Sequence, residues 1–88
     1  MDCSIKIEIW GNKNCRRCQK FYEQTKERGL NVVKIDFEED DLQVLWVGNP
    51  VKATEIRAAL DFQDFELPVI YMNTAYTFNE YERWLNEY

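Results

Sequence analysis

The chain has 88 residues, enough for one small domain over residues 1–88, and its 11 basic and 16 acidic side chains give a net charge of −5. An acidic chain of this kind is a poor match for nucleic acid, whose phosphates require a basic protein face. Because the sequence contains no histidine, catalysis by a histidine base and metal sites with histidine ligands are excluded.

The sequence carries no signal for export or membrane insertion. No apolar run approaches the roughly 20 residues that span a bilayer. The first residues lack the basic and apolar regions of a signal peptide. We therefore expect a cytoplasmic, monomeric protein that does not bind a membrane.

The charges are distributed unevenly along the chain. Residues 1–29 carry seven basic and four acidic side chains, whereas residues 30–88 carry four basic and twelve acidic ones. The first third therefore has a net charge of +3 and the remainder a net charge of −8. This asymmetry predicts one locally basic surface on an otherwise acidic protein.

The first half of the chain predicts a strand, a helix and a second strand. Isoleucines alternate with polar residues over residues 4–10, which is typical of a strand. From Cys15 the period changes to that of a helix, which ends near Gly29. The apolar stripe of this helix consists of Cys18, Phe21, Tyr22 and Thr25. Residues 31–37 are rich in β-branched side chains and predict the second strand.

The middle of the chain predicts a second helix and a third strand. The pair Asn49-Pro50 suits a helix start, because proline is favoured at the first helical position. The apolar stripe of this helix consists of Ala53, Ile56, Ala59 and Leu60. Residues 42–47 are apolar, and their pattern leaves a helical turn and a strand equally open. Residues 67–72 predict a third strand that is entered through a proline.

The C-terminal part predicts a short strand and a last helix. A turn at residues 73–74 precedes a fourth strand over residues 75–77. The last helix is predicted to open at Asn79, because Asn79 and Glu82 have the spacing of a capping box. The apolar face of this helix consists of Tyr81, Trp84, Leu85 and Tyr88.

The order of the predicted elements is β-α-β-α-β-β-α, which indicates an α/β domain with a mixed four-stranded sheet flanked by helices. The first two strands are joined by a helix and should be parallel. The last two strands are separated only by a turn and should be antiparallel.

Two cysteines flank two arginines in Cys15-Arg16-Arg17-Cys18, at the predicted junction between the first strand and the first helix. Cysteines with this spacing at a helix N-terminus can form a disulfide, and the unpaired N–H groups there favour an anion. A helix N-terminus and nearby positive charge lower the pKa of a thiol, and the thiolate is the nucleophile. We therefore predict that Cys15 attacks first and that the less exposed Cys18 attacks second. The positive charge comes from Lys13, Arg16, Arg17 and Lys20.

A cysteine pair also has functions other than redox chemistry. A structural zinc site takes four Cys or His ligands, so Cys3 would have to join the pair and a carboxylate or water complete the set. We interpret Cys3 instead as a small apolar residue near the start of a strand, and we predict no metal site. The alternatives that stay open are a redox-inert protein-binding module and a metal or iron–sulfur carrier that uses Cys15.

The position of the cysteine pair resembles that of the thioredoxin superfamily and, at this length, of its glutaredoxin branch. The resemblance covers essentially the whole chain, including the motifs Cys15-Arg16-Arg17-Cys18 and Leu67-Pro68-Val69. It implies a thioredoxin-like fold in which a cis peptide bond precedes Pro68 and the proline lies against the active-site cysteines. It also implies that the backbone of Leu67 binds the substrate thiol.

Two motifs differ from those of typical glutaredoxins. Arg16-Arg17 replaces the Pro-Tyr pair often found between the cysteines. Tyr76-Thr77 stands where glutathione-binding members have the Gly-Gly that follows the fourth strand. Those glycines let glutathione lie close to the backbone, so we expect Tyr76 and Thr77 to face the substrate and glutathione to be a weak ligand.

The resemblance implies a dithiol–disulfide oxidoreductase that reduces protein disulfides through Cys15 and Cys18, without a tightly bound cofactor. Ribonucleotide reductase is the familiar recipient of electrons in this family, and glutathione or a thioredoxin reductase restores the dithiol. Glutaredoxins of this size also occur in bacteriophages, and the chain resembles that kind. Its compartment would then be the host cytoplasm.

Overall fold

The computed structural model describes residues 6–36 and 45–87. In chain order the elements are β1 (Lys6–Gly11), α1 (Arg16–Glu27), β2 (Asn31–Asp36), α2 (Pro50–Phe62), β3 (Val69–Met72), β4 (Thr74–Thr77) and α3 (Phe78–Glu87). Residues 45–48 add a short helical turn just before α2. Within the described ranges, no helix combines the length and the apolar character needed to cross a bilayer.

The strands form one mixed sheet in the order β2-β1-β3-β4. β1 pairs in parallel with β2 and antiparallel with β3, so that Ile9 lies opposite Lys34 on one side and Ile70 on the other. β3 and β4 form an antiparallel hairpin. The predicted α/β class, the four-stranded mixed sheet and both pairing directions are confirmed.

Helices cover both faces of this sheet. One core cluster joins α1 and α3 to the sheet through Ile7, Ile9, Cys18, Phe21, Ile70, Met72, Tyr81 and Leu85. The other joins α2 to the sheet through Trp10, Ile56, Ala59, Leu60 and Val69. Neighbouring residues of a strand point to opposite faces, so α1 and α3 share one face while α2 covers the other. The apolar stripes predicted for α1 and α2 both contribute buried residues to these clusters.

Three predicted element starts were wrong, of which that of β4 was wrong by one residue, since β4 begins at Thr74. The third strand begins at Val69 rather than at residue 67, because Pro68 has no N–H to donate to a neighbouring strand. The last helix begins at Phe78, because Thr77 and Glu80 form the capping box that was predicted for Asn79 and Glu82. In this box the backbone N–H of Thr77 donates to the Glu80 carboxylate at 3.0 Å, and the N–H of Glu80 donates to the Thr77 hydroxyl at 3.3 Å.

Some predicted features lie outside the described residues. They are Cys3, Ile5, Phe37, residues 42–44 and Tyr88. Of the apolar stretch that left helix and strand open, residues 45–47 are helical. Trp46 in this turn is exposed.

Candidate functional site: a cysteine pair at a helix N-terminus

Cys15 is the N-cap residue of α1. Its backbone is extended, with φ −87° and ψ 104°, and its sulfur accepts a hydrogen bond from the backbone N–H of Cys18 at 3.0 Å. The sulfur therefore occupies the place that a serine or aspartate oxygen takes in an ordinary helix cap. An N–H group aimed at the sulfur stabilises negative charge on it, and the helix dipole acts in the same direction. The cap therefore places a hydrogen-bond donor and the positive end of the helix dipole at the Cys15 sulfur.

Cys15 and Cys18 form a disulfide, with their Cα atoms 5.2 Å apart. The two cysteines differ sharply in exposure, since Cys18 is completely buried in the core below α1 whereas Cys15 is half-buried. Cys18 lies on the apolar stripe of the helix, which explains its burial. An incoming molecule therefore reaches the sulfur of Cys15 and not that of Cys18.

Gly11 makes room for the buried sulfur, a role that the sequence analysis missed. It is the last residue of β1, and a Cβ built on it would overlap the Cys18 sulfur and lie 3.0 Å from the Cys18 Cβ. A glycine that follows an alternating strand and comes shortly before a cysteine pair was the available signal. Only the tertiary structure shows that Cys18 is the neighbour that leaves no space for a larger side chain at residue 11.

The segment before β3 contacts the helix that carries the cysteine pair, because Arg17 donates a hydrogen bond to the Leu67 carbonyl. The peptide bond between Leu67 and Pro68 is cis, as the resemblance implied, and the proline is fully buried. Leu67 and Cys15 pack against the same core cluster. The side chain of Gln63 binds this segment, because its amide donates a hydrogen bond to the Pro68 carbonyl at 2.9 Å.

Arg17 connects three parts of this surface. Its guanidinium donates to the carbonyl of Leu67 at 3.2 Å and forms an ion pair with Glu66 at 3.7 Å. It also lies over the ring of Phe78, 4.2 Å from the centroid, at the start of α3. Arg17 was predicted as a source of positive charge facing the substrate. The structure shows in addition that it holds the Leu67 carbonyl and links α1 to α3.

The basic side chains around the cysteine pair are exposed. The side chains of Lys13, Arg16 and Lys20 make no ion pair, hydrogen bond or ring contact with any other described residue. The first turn of α1 contains no acidic residue that could offset them. Within residues 6–36 and 45–87, only Arg17 among these four basic side chains has an acidic partner, Glu66. A negatively charged group that approaches Cys15 meets a favourable potential.

Tyr76 and Thr77 belong to β4 itself rather than to a loop after it. Thr77 is buried, and both its N–H and its hydroxyl bind Glu80 in the cap of α3. Tyr76 is half-buried against the core cluster that contains Cys18. In this conformation the polar groups of Thr77 already have partners within the protein.

A buried tyrosine lies in the same cluster as Cys18. The hydroxyl of Thr25 donates to the Phe21 carbonyl at 2.8 Å, so the hydroxyl of Tyr81 is the donor in the short hydrogen bond between Tyr81 and Thr25. Burial raises the pKa of Tyr81 above the ordinary value of 10.0, while the Thr25 hydrogen bond and the charge of Arg28 act in the opposite direction with smaller effect. The phenol is therefore held in its neutral form.

Tyr81 makes the stability of the protein sensitive to alkali. Because the pKa of Tyr81 is raised in the folded state, its contribution is complete below pH 10.0 and is lost as the pH rises above that value. We expect Tyr81→Phe to cost about 1 kcal/mol near neutral pH, through the lost hydrogen bond to Thr25. Urea unfolding at several pH values should show this difference shrinking above pH 10.0. Parallel loss of stability in both proteins would contradict the argument.

Arg16 and Arg17 should differ in their effect on stability although they are adjacent. Arg17→Ala removes a hydrogen bond, an ion pair and a cation–π contact that are all partly exposed, which we expect to cost about 1 kcal/mol. For a domain of this size that lowers the Tm by about 4–8 °C. Arg16→Ala is the matched control, with the same charge change and an expected effect within about 0.5 kcal/mol. Thermal unfolding gives the Tm of both variants. Equal values would show that the Arg17 contacts do not stabilise the protein.

Among the described residues, no group of three or more His, Cys, Asp or Glu side chains is arranged to hold a metal ion. Comparison with known proteins gives no further assignment: no family model, no curated protein and no solved structure matches this chain. The chemistry of the site must therefore be argued from its own geometry.

Proposed function

We propose that the protein is a thiol–disulfide oxidoreductase with a thioredoxin-like fold, similar to the small glutaredoxins, that reduces protein disulfides through Cys15 and Cys18. The observation that carries the proposal is the asymmetry of the pair. Cys15 is accessible and caps α1 through its sulfur, whereas its disulfide partner Cys18 is completely buried. A nucleophile that substrate can reach and a resolving thiol that it cannot reach are what two-step disulfide exchange requires.

In the first step, the thiolate of Cys15 attacks one sulfur of the substrate disulfide. The substrate S–S bond breaks, a mixed disulfide with Cys15 forms, and the other substrate sulfur leaves as a thiolate that takes up a proton. In the second step, Cys18 loses its proton and attacks the Cys15 sulfur. The mixed disulfide breaks, the second substrate thiol is released, and the Cys15–Cys18 disulfide remains after two electrons have passed to the substrate.

The return to the dithiol needs a two-electron reductant. Two molecules of glutathione or a thioredoxin reductase would supply these electrons, and the disulfide of a ribonucleotide reductase is a suitable recipient for them. The N–H and the hydroxyl of Thr77 already bind Glu80, so they are not free to bind glutathione. This supports the expectation that glutathione is a weak ligand. Lys13 and Arg16 are exposed, and their positive charge would complement acidic residues near the disulfide of a substrate.

The proposal is tested by following the reduction of insulin disulfides in parallel with a redox titration of the protein. We expect reduction when glutathione with its reductase, or thioredoxin reductase, supplies electrons. Equilibration with glutathione or thioredoxin buffers, read by alkylation of free thiols, gives the potential of the Cys15–Cys18 pair. A value near −200 to −230 mV is typical of glutaredoxins and one of about −270 mV of thioredoxin.

Failure of both electron sources to support reduction, with Cys15 resistant to alkylation in the reduced protein, would refute the proposal. It would leave the redox-inert binding module as the better interpretation. An absorption spectrum of the purified protein in the visible range tests the remaining alternative, an iron–sulfur carrier, because an iron–sulfur cluster absorbs there.

A further inference from the structure

A groove runs between α1 and α3, away from the cysteine pair. Its volume is about 170 Å³, and its lining includes Arg17 and Lys20 of α1 and Arg28, the residue that caps the C-terminal end of α1. These three positions lie on one face of the helix. At 1.5 Å per residue they extend over about 16 Å, which is the length of about five residues of extended peptide.

The charge of the groove is predominantly positive. Against these three cations, Glu82 of α3 is the only carboxylate that the described part of the chain contributes to the lining. Lys20 is exposed and has no partner among the described residues, while Arg28 contacts only an uncharged group, the Gln24 carbonyl, at 3.2 Å. This concentration of positive charge stands out on a protein whose net charge is −5.

The floor of the groove is apolar. Phe21 and Leu85 are buried at its base, and the half-buried ring of Phe78 also lines it. Arg17 lies over that ring and also donates a hydrogen bond to the Leu67 carbonyl. One residue of the groove, Arg17, therefore stands between the two cysteines in sequence and also contacts the segment before β3.

We propose that this groove binds an acidic peptide segment that flanks the disulfide of the substrate protein. The inference rests on the proposed function in one respect, because it takes the bound segment to be part of a substrate. The binding itself is inferred from the charge and the shape of the groove. Carboxylates of the segment would pair with Lys20 and Arg28, and its apolar side chains would lie on the floor formed by Phe21, Phe78 and Leu85. Binding here would hold the neighbouring disulfide against Cys15 and raise its effective concentration.

The test uses the full oxidised chain and a cysteine-free peptide in which Glu and Leu alternate. A second peptide with Gln in place of Glu keeps the shape and removes the charge. Calorimetry gives both affinities, and amide chemical shifts locate the binding site. We expect the Glu peptide to shift the amides of α1 and α3 and to bind at least about tenfold more tightly than the Gln peptide at low salt.

Two charge-matched variants separate the groove from the overall charge. Lys20→Met removes a cation that lines the groove, whereas Lys26→Met removes one on the same helix that is not in its lining and lies over Tyr22 instead. Lys20→Met should weaken binding of the Glu peptide about two- to five-fold, the range expected for an exposed ion pair. Lys26→Met should leave it unchanged. Far-ultraviolet circular dichroism confirms that both variants are folded.

Three results would overturn the inference. Equal affinity for the Glu and Gln peptides would show an apolar groove without charge selection. Equal weakening by Lys20→Met and Lys26→Met would show that only net charge matters. Binding of a single-stranded oligonucleotide as tight as that of the Glu peptide would show a general polyanion surface.

The outcome of this test is separable from that of the proposed function, because the peptide contains no cysteine. If insulin reduction succeeds and the two peptides bind equally, only the groove inference fails. If the Glu peptide binds selectively and no disulfide is reduced, the proposed function fails, and with it the assignment of the peptide to a substrate.

Discussion

Cys15→Ser should reduce insulin disulfide reduction to the uncatalysed background, whereas Cys18→Ser should retain the first attack and stop there. The serine hydroxyl is not a nucleophile at neutral pH, and the buried Cys18 sulfur cannot be reached by a substrate in place of Cys15. Without Cys18 the mixed disulfide on Cys15 has no internal thiol to resolve it. Mass spectrometry after incubation with a disulfide peptide should therefore show one peptide adduct on Cys18→Ser and none on Cys15→Ser.

Cys3→Ser is the control for this experiment, because it removes a thiol that we assign no part in the reaction. Its turnover should equal that of the wild type. An adduct on Cys18 in the Cys15→Ser protein, with none in Cys18→Ser, would reverse the two roles. A large loss of turnover in Cys3→Ser would show that a third thiol takes part.

Gly11→Ala should destabilise the protein by about 2 kcal/mol, within the range of 1–3 kcal/mol for groups inserted into a packed core. The added methyl group would overlap the sulfur of Cys18, a residue that is fully buried in the close-packed core. The same displacement should slow the resolving step, because Cys18 must reach the Cys15 sulfur in line with the mixed disulfide. Urea unfolding measures the first effect, and the lifetime of the mixed disulfide measures the second.

Two further variants locate the cause of this effect. Gly48→Ala is the matched control, since a Cβ at Gly48 would meet no atom of the described residues within 4 Å, and its cost should stay within about 0.5 kcal/mol. In a double-mutant cycle, Cys18→Ala should be less destabilising in the Gly11→Ala protein than in the wild type, because it removes the overlapping sulfur. Additive losses would show that Gly11 matters for another reason, such as the backbone of β1.

The difference in exposure between the two cysteines could be predicted from the local sequence pattern. The change from period two to the helical period places Cys15 at the start of α1, and the apolar stripe that includes Phe21 places Cys18 inside the core. Both inferences use only residues close in sequence, which a helix brings into a known arrangement. The capping of α3 was wrong by two residues because Asn79 and Glu82 have the same spacing as Thr77 and Glu80. Only the position at which β4 ends decides between these pairs.

The sequence by itself determined the class of the fold, the order of its elements, the junction that carries the cysteine pair and the excess of positive charge near it. The tertiary structure alone decided which distant residues complete the site. Arg17 and Leu67 are 50 positions apart, and Thr25 and Tyr81 are 56 apart. Periodicity specifies which face of a helix is apolar, but it does not specify which residues of other elements meet that face. Those contacts follow from how α1 and α3 pack together on the sheet, so Arg17 lies over Phe78 and Gly11 lies against Cys18 only in the assembled domain.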